Sequence, residues 1–212
     1  MQLNENGLKD REKWESAGYR LPGFDRIKVA EETKKDPFWI HFGAGNIFRA
    51  FQANVVQELL DSGDLDRGLI AAEGYDYEII EKMNHPHDDL SILVTLKADG
   101  NIEKTVVGSV VESLILDSEN TAQFSRLKEI FANAGLQMAT FTITEKGYSL
   151  TDGRGLPLAD VTADMENGPE KPCSYIGKVA SLLHTRYASG GPPIAMVSMD
   201  NCSHNGDILK QS

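Results

Sequence analysis

Pro37-Phe38-Trp39-Ile40-His41-Phe42-Gly43-Ala44-Gly45-Asn46-Ile47-Phe48-Arg49-Ala50 joins an apolar, aromatic run to a glycine turn and then to a helical pattern. The run before Gly43 has the length and composition of a buried strand. After the glycines, Phe48, Phe51, Val55, Val56, Leu59 and Leu60 recur at helical spacing, and Gly63 stands where a helix stop falls. Leu69-Ile70-Ala71-Ala72 is a second short apolar run, closed by Glu73-Gly74. The order is therefore strand, glycine turn, helix, strand. In such a unit Gly43 permits the tight turn. Gly45 lets the backbone approach a pyrophosphate, which then sits on the positive end of the helix. The spacing thus predicts dinucleotide binding by Gly43, Ala44, Gly45, Asn46, Ile47, Phe48 and Arg49. Phe48 occupies the place of the usual third glycine, so a glycine turn serving only helix–strand packing stays open as the alternative.

An acid at the end of the second strand accepts hydrogen bonds from the adenosine ribose hydroxyls and repels a 2′-phosphate. Glu73 is at that position, with Asp76 a rival on the same loop and a solvated loop charge the alternative. On this reading the cofactor is NAD in preference to NADP. Arg49, on the first turn of the phosphate helix, is placed to help neutralise the pyrophosphate.

Outward from this unit, residues 1–36 are rich in charge and poor in periodicity. They read as an N-terminal arm with a turn at Leu21-Pro22-Gly23-Phe24-Asp25-Arg26. Residues 37–212 read as one dinucleotide-binding domain. Tyr77 to Met83 suggests a helix. Leu90–Leu96 and Ile102–Val107 flank Asp99-Gly100, a hairpin signal. Further strands are expected at 109–116, 136–142 and 192–198, with helices at 122–132 and 174–187 and a helix start at 206–210. Residues 150–172, dense in Gly, Pro, Asp and Asn, read as a long loop. The alternation predicts an α/β fold: a Rossmann-like, doubly wound, mostly parallel sheet with a β-hairpin insertion. Ligands in such sheets bind beyond the carboxyl ends of the strands. Gly43–Arg49, Glu73–Asp76, Thr144–Tyr148 and Asp200–Gly206 fall at such ends, and Thr144, Glu145 and Lys146 are expected to line the nicotinamide side.

Bulk properties narrow the function classes. The chain has 212 residues, a hydrophobic fraction of 41% and a charged fraction of 25%, ordinary for a globular domain. A formal net charge of -11 argues against a nucleic-acid binder, which needs a basic face. No apolar run approaches the roughly 20 residues that span a bilayer, and the polar N-terminus has no signal-peptide stretch, so no membrane partner and a cytoplasmic location are expected. The 2 cysteines, Cys173 and Cys202, lie far apart and read as reduced thiols. No metal is expected: His85-Pro86-His87 reads as a polar turn, and His184 as a structural contact on a helix. Neither a G-x-S-x-G elbow nor a P-loop is present.

Four segments in order resemble the polyol-specific long-chain dehydrogenases, the mannitol dehydrogenase and fructuronate reductase family. They are Leu21–Arg26, Gly43–Ala53, Thr142-Ile143-Thr144-Glu145-Lys146-Gly147-Tyr148, and Ser198-Met199-Asp200-Asn201-Cys202-Ser203-His204-Asn205-Gly206. Phe48 and Phe51 stand where the family often has histidines, which blurs the subgroup. The resemblance implies metal-independent hydride transfer between nicotinamide and a sugar alcohol or sugar acid, such as mannitol with fructose or mannonate with fructuronate. It implies that the Asn201 amide binds the reacting oxygen as an alkoxide develops, with a cap on the following helix as the alternative; Asp200 reads as orienting the loop, and Asn205 and Gly206 as capping or turning. The general base it implies is a lysine of a helical C-terminal domain. That domain is not among these residues, and neither Lys146 nor Lys210 sits in its motif, so little turnover is expected of this chain alone. A non-catalytic dinucleotide sensor or regulatory module is the alternative reading.

Overall fold

The computed structural model describes residues 1–212. The strands are β1 (Tyr19–Arg20), β2 (Trp39–Phe42), β3 (Leu69–Glu73), β4 (Ser91–Leu96), β5 (Ile102–Val107), β6 (Val110–Ile115), β7 (Met138–Phe141) and β8 (Ala195–Ser198). The α-helices are α1 (Arg11–Ser16), α2 (Arg26–Lys35), α3 (Ala53–Ser62), α4 (Thr121–Ala132), α5 (Thr144–Tyr148), α6 (Ala159–Asn167), α7 (Tyr175–Ala188) and α8 (Asn205–Gln211). A π-helical turn, Phe48–Gln52, leads into α3, and a second one, Ile79–Asn84, follows β3.

Five strands form an all-parallel sheet in the order β6-β3-β2-β7-β8. Strand order reverses between β2 and β7, the switch point at which open α/β sheets bind ligands. Period-two alternation sends neighbouring side chains into two cores. Ile40, Phe42, Ile70 and Ala72 pack with Phe124, Leu127, Ile130 and Leu182 of α4 and α7. Leu69 and Ala71 pack with Phe48, Val56 and Leu60 on the opposite face. The sheet is therefore covered on both faces, as the near-continuous apolar strands require.

The hairpin forms as expected, β4 pairing antiparallel with β5. Its sheet is separate from the parallel one, and β1, from the segment read as an arm, pairs parallel to β5. Arg26 fastens this unit to the main sheet. It is 9% exposed, and its Nε and Nη2 donate to the carbonyls of Gly108 and Val110, both at 2.9 Å.

Three local expectations change. Residues 26–35 form a helix, capped by Asp25, whose carboxylate accepts from Lys28 N–H. It buries only Arg26, Val29 and Thr33, too few apolar positions to show a period. The loop expected over 150–172 contains α6, whose single buried residue is Val161. Asp164 on α6 accepts from the N–H groups of Cys173 and Ser174, tying the segment to the start of α7. In the helix after the glycines, Phe48, Val56 and Leu60 face inward, whereas Phe51, Val55 and Leu59 are exposed.

Candidate functional site

The glycine loop leaves β2 at the switch point. Gly43 has φ of 103°, in the left-handed region, and a Cβ there would collide with the Thr142 carbonyl at the end of β7. Only glycine lets these two strand ends approach. Gly43 N–H donates to Ala72 O at 2.8 Å. Gly45 has open space where a Cβ would stand, with nothing within 4 Å. The first hydrogen bond of the helix runs from Arg49 N–H to Gly45 O at 3.1 Å. The N–H groups of Gly45, Asn46, Ile47 and Phe48 thus precede the hydrogen-bonded ladder, at the positive end of the helix dipole. An open glycine flanked by free donors fits a pyrophosphate.

The individual side chains divide. Asn46 and Ile47 are exposed beside the loop. Arg49 donates to Asn46 Oδ1 at 2.7 Å and has no carboxylate partner; partial burial pushes its guanidinium below the ordinary range. Ala44 is fully buried. The Phe48 side chain is also buried and stacks on His41, with ring centroids 4.2 Å apart, so this residue can offer a ligand its N–H but not its ring. Glu73 is buried too, and its carboxylate accepts backbone N–H groups, one of them from Ala44 at 2.8 Å. Asp76 is exposed.

The ends of β7 and β8 are bound together by Asp200. Its Oδ2 accepts from Ile143 N–H and its Oδ1 from Thr144 N–H, both at 3.0 Å. The Tyr148 hydroxyl donates to Oδ2 at 2.6 Å. Burial and then this bond hold the Tyr148 phenol protonated, well above its ordinary range. Thr144 has φ of 62°, unusual for a β-branched residue, and the Asp200 clamp holds it there. Asn205 Nδ2 donates to the carbonyls of Ser198 and Asp200, closing the loop from the other side. Between these two clamps Asn201 is exposed, and its amide makes no hydrogen bond within the protein. Asp200 and Asn205 are used in holding the loop; Asn201 is the member of the motif left free.

Because β3, β2, β7 and β8 are adjacent and parallel, their carboxyl ends share one edge. That edge gathers the glycine loop, Glu73, Asp76, the exposed Thr144, Glu145 and Lys146, and Asn201. Gln52 links its two halves, its Nε2 lying 3.6 Å from Met199 Sδ. Tyr148 stands in the Thr142–Tyr148 segment already quoted, with no role assigned to it there, and Gln52 escapes a reading of the sequence because a single helical glutamine carries no motif. His85 and His87 bond to the carbonyls of Ser113 and Leu3, and no group of three His, Cys, Asp or Glu side chains is arranged to hold a metal. Both cysteines are free.

His41 lies beneath this edge, fully buried on β2, its ring nitrogens 2.6 and 2.9 Å from the hydroxyls of Thr140 and Thr142. Burial outweighs a backbone hydrogen bond at Gly43 and lowers its pKa from 6.5 to about 3. Between those values the unfolded chain binds a proton that the folded chain does not, so stability rises with pH across the window and is lost as pH falls below 6.5. From pH 7 to pH 5 the expected loss from this group is about 2 kcal/mol. Urea unfolding at the two pH values, with His41→Gln as the control that removes this contribution, measures it.

A family model described as the mannitol dehydrogenase Rossmann domain matches residues 38–212. A D-mannonate oxidoreductase of Thermotoga maritima is 48% identical over 212 residues, covering 100% of this chain and 39% of that protein. A polyol:NADP oxidoreductase of Gluconobacter oxydans is 29% identical, covering 83% of this chain and 36% of that protein. Among solved structures, Pseudomonas fluorescens mannitol 2-dehydrogenase in ternary complex with NAD and D-mannitol superposes with a TM-score of 0.81 at 25% identity, covering 100% of this chain and 41% of that one. The chain spans about two fifths of the length of the curated relatives it matches.

Proposed function

The chain belongs to the mannitol dehydrogenase family, residues 38–212 matching its Rossmann domain, and from that premise we propose that it supplies the cofactor half of an NAD-dependent oxidoreductase of polyols or hexonates. The observation that carries this reading is the juxtaposition of an open glycine loop and the free Asn201 amide on one sheet edge, on either side of the switch point. Residues 37–212 are the cofactor domain and residues 1–36 the arm. Among substrates, D-mannonate with its ketone, fructuronate, is the pair we favour, because the relative at 48% identity carries the mannonate name. The cell compartment we propose is the cytoplasm, in keeping with two free thiols.

A bound NAD would supply the hydride acceptor for the change of a secondary alcohol to a ketone. The residues of this chain do the rest of the work assigned to this half. Free N–H groups from Gly45 to Phe48 receive the pyrophosphate, and Arg49 adds a cation beside it. Asp76 stands exposed at the exit of β3, with no partner for its carboxylate. A 2′-phosphate brought there meets negative charge, which favours NAD over NADP. Thr144, Glu145 and Lys146 flank the nicotinamide, and the Asn201 N–H donates to the substrate oxygen as negative charge develops. The alcohol proton leaves to a base outside these residues, which by family resemblance is a lysine of a following helical domain. This chain alone is therefore expected to turn over little.

Steady-state assay of the longer protein with mannonate and NAD tests the reading. Asn201→Ala should lower kcat roughly 100- to 1000-fold, the cost of one oxyanion donor, while NADH affinity survives. Unchanged turnover would contradict the role given to Asn201 and favour a non-catalytic nucleotide module.

A further inference from the structure

Glu73 ends β3 where an acid that reads a ribose would stand, yet its side chain is committed inward. The residue is 6% exposed. Its Oε2 accepts from Ala44 N–H at 2.8 Å. Its Oε1 accepts from Tyr75 N–H at 2.9 Å and Asp76 N–H at 3.3 Å. A carboxylate offers about four lone-pair positions; backbone donors take three of these, and burial leaves little of the group open to an incoming sugar. The Ala44 bond reaches across 29 positions of sequence to the glycine loop. With the bond from Gly43 N–H to Ala72 O, it pins two consecutive loop N–H groups to the end of β3. Gly45 is then the first loop residue whose donor is free. Asp76 is the converse case. Glu73 holds its N–H, but the residue is exposed and its carboxylate has no hydrogen bond or ion pair.

Resting on the dinucleotide reading above, we propose that Glu73 is a positioning residue. Its carboxylate fixes the glycine loop against the β3 exit so that the free loop donors meet the pyrophosphate, and discrimination at the ribose 2′ position falls to Asp76. The two jobs usually given to one acid are divided between two, three residues apart.

Fluorescence titration of the 212-residue chain with NADH and with NADPH separates the jobs. In Glu73→Gln one oxygen becomes an NH₂ group, which cannot accept a hydrogen bond, so the single remaining oxygen can serve the loop or the β3 exit but not both. Both cofactors should weaken by the same factor, roughly ten- to a hundredfold, with the NADH:NADPH preference as in the wild type. Asp76→Asn should shift the preference toward NADPH. A Glu73 with a merely structural role would lower the melting temperature of the variant and leave the affinity of its folded fraction intact.

A Glu73→Gln protein whose preference moves toward NADPH overturns the proposal, since Glu73 would then read the ribose itself. Unaltered affinities overturn it as well. Should Glu73→Gln fail to fold, Asp76→Asn still decides, because an unshifted preference there contradicts the division. No saturable NADH binding by the wild-type chain is a separate result: it overturns the dinucleotide reading, and this inference with it.

Discussion

Gly43→Ala is expected to destabilise the folded chain by about 4 kcal/mol, from left-handed strain of roughly 1–3 kcal/mol and overpacking of a similar size. Gly43 combines φ of 103° with a backbone-to-backbone approach to Thr142, so a methyl there meets a carbonyl oxygen that cannot rotate away. Relief requires β2 and β7 to separate at the switch point. Stability and cofactor affinity should therefore fall together. Gly45→Ala is the contrast: a Cβ there meets nothing within 4 Å, and the effect on stability should stay within about 1 kcal/mol. Thermal or urea unfolding of both variants measures the difference. Equal stability of the two would contradict the close approach at Gly43.

The second large effect is expected at Arg186. It sits on α7, is 4% exposed, and has no acidic partner. Instead it donates to four carbonyls: Pro192 from Nε at 2.7 Å, Phe131 and Asn133 from Nη1 at 2.9 and 2.8 Å, and Leu136 from Nη2 at 3.0 Å. Two of those bonds are buried. Burial lowers the Arg186 pKa, but the ring of carbonyl dipoles solvates the cation in place of water. One side chain thus joins the end of α4, the entry to β7 and the entry to β8. Arg186→Met keeps most of the aliphatic bulk and strands the carbonyls, at a cost of roughly 3–5 kcal/mol. That is a large part of the roughly 5–15 kcal/mol that stabilises a domain. Lysine, with one ammonium on a flexible stem, should restore only part of it. Urea midpoints for the Met and Lys variants, compared with the wild type, check both statements.

The glycine turn, the parallel strands and the hairpin were legible because each carries a local signature. Glycines mark a backbone that must bend, apolar runs mark strands covered on both faces, and Asp99-Gly100 marks a tight turn. The helices α2 and α6 were not legible: they bury three residues and one residue, so no apolar period betrays them. The pairing of β1 with β5 is a long-range contact of two residues, which no local pattern encodes. The candidate site divides along the same line. Asp200 and Asn201 are neighbours in one motif whose roles the sequence already divided, Asp200 to the loop and Asn201 to the reacting oxygen; the fold adds the bonds by which Asp200 holds the loop. Glu73 has the position of a ribose ligand in sequence. Its hydrogen bonds to Ala44, Tyr75 and Asp76 exist only once the loop has folded over β3. Phe48 stands where a third glycine was expected, and the structure shows why a large residue is tolerated: its ring fills the space against His41 beneath the helix.

The central claim is that the Gly43–Arg49 loop binds NAD, and the direct measurement is titration of the 212-residue chain with NADH, followed by nicotinamide fluorescence, for the wild type and Gly45→Glu. Open space at Gly45 lets the glutamate variant fold, while its charge stands where the pyrophosphate would lie. Saturable binding by the wild type, abolished in a Gly45→Glu protein of unchanged melting temperature, is the predicted result. Absence of wild-type saturation at millimolar NADH, or equal binding by the two proteins, would contradict it.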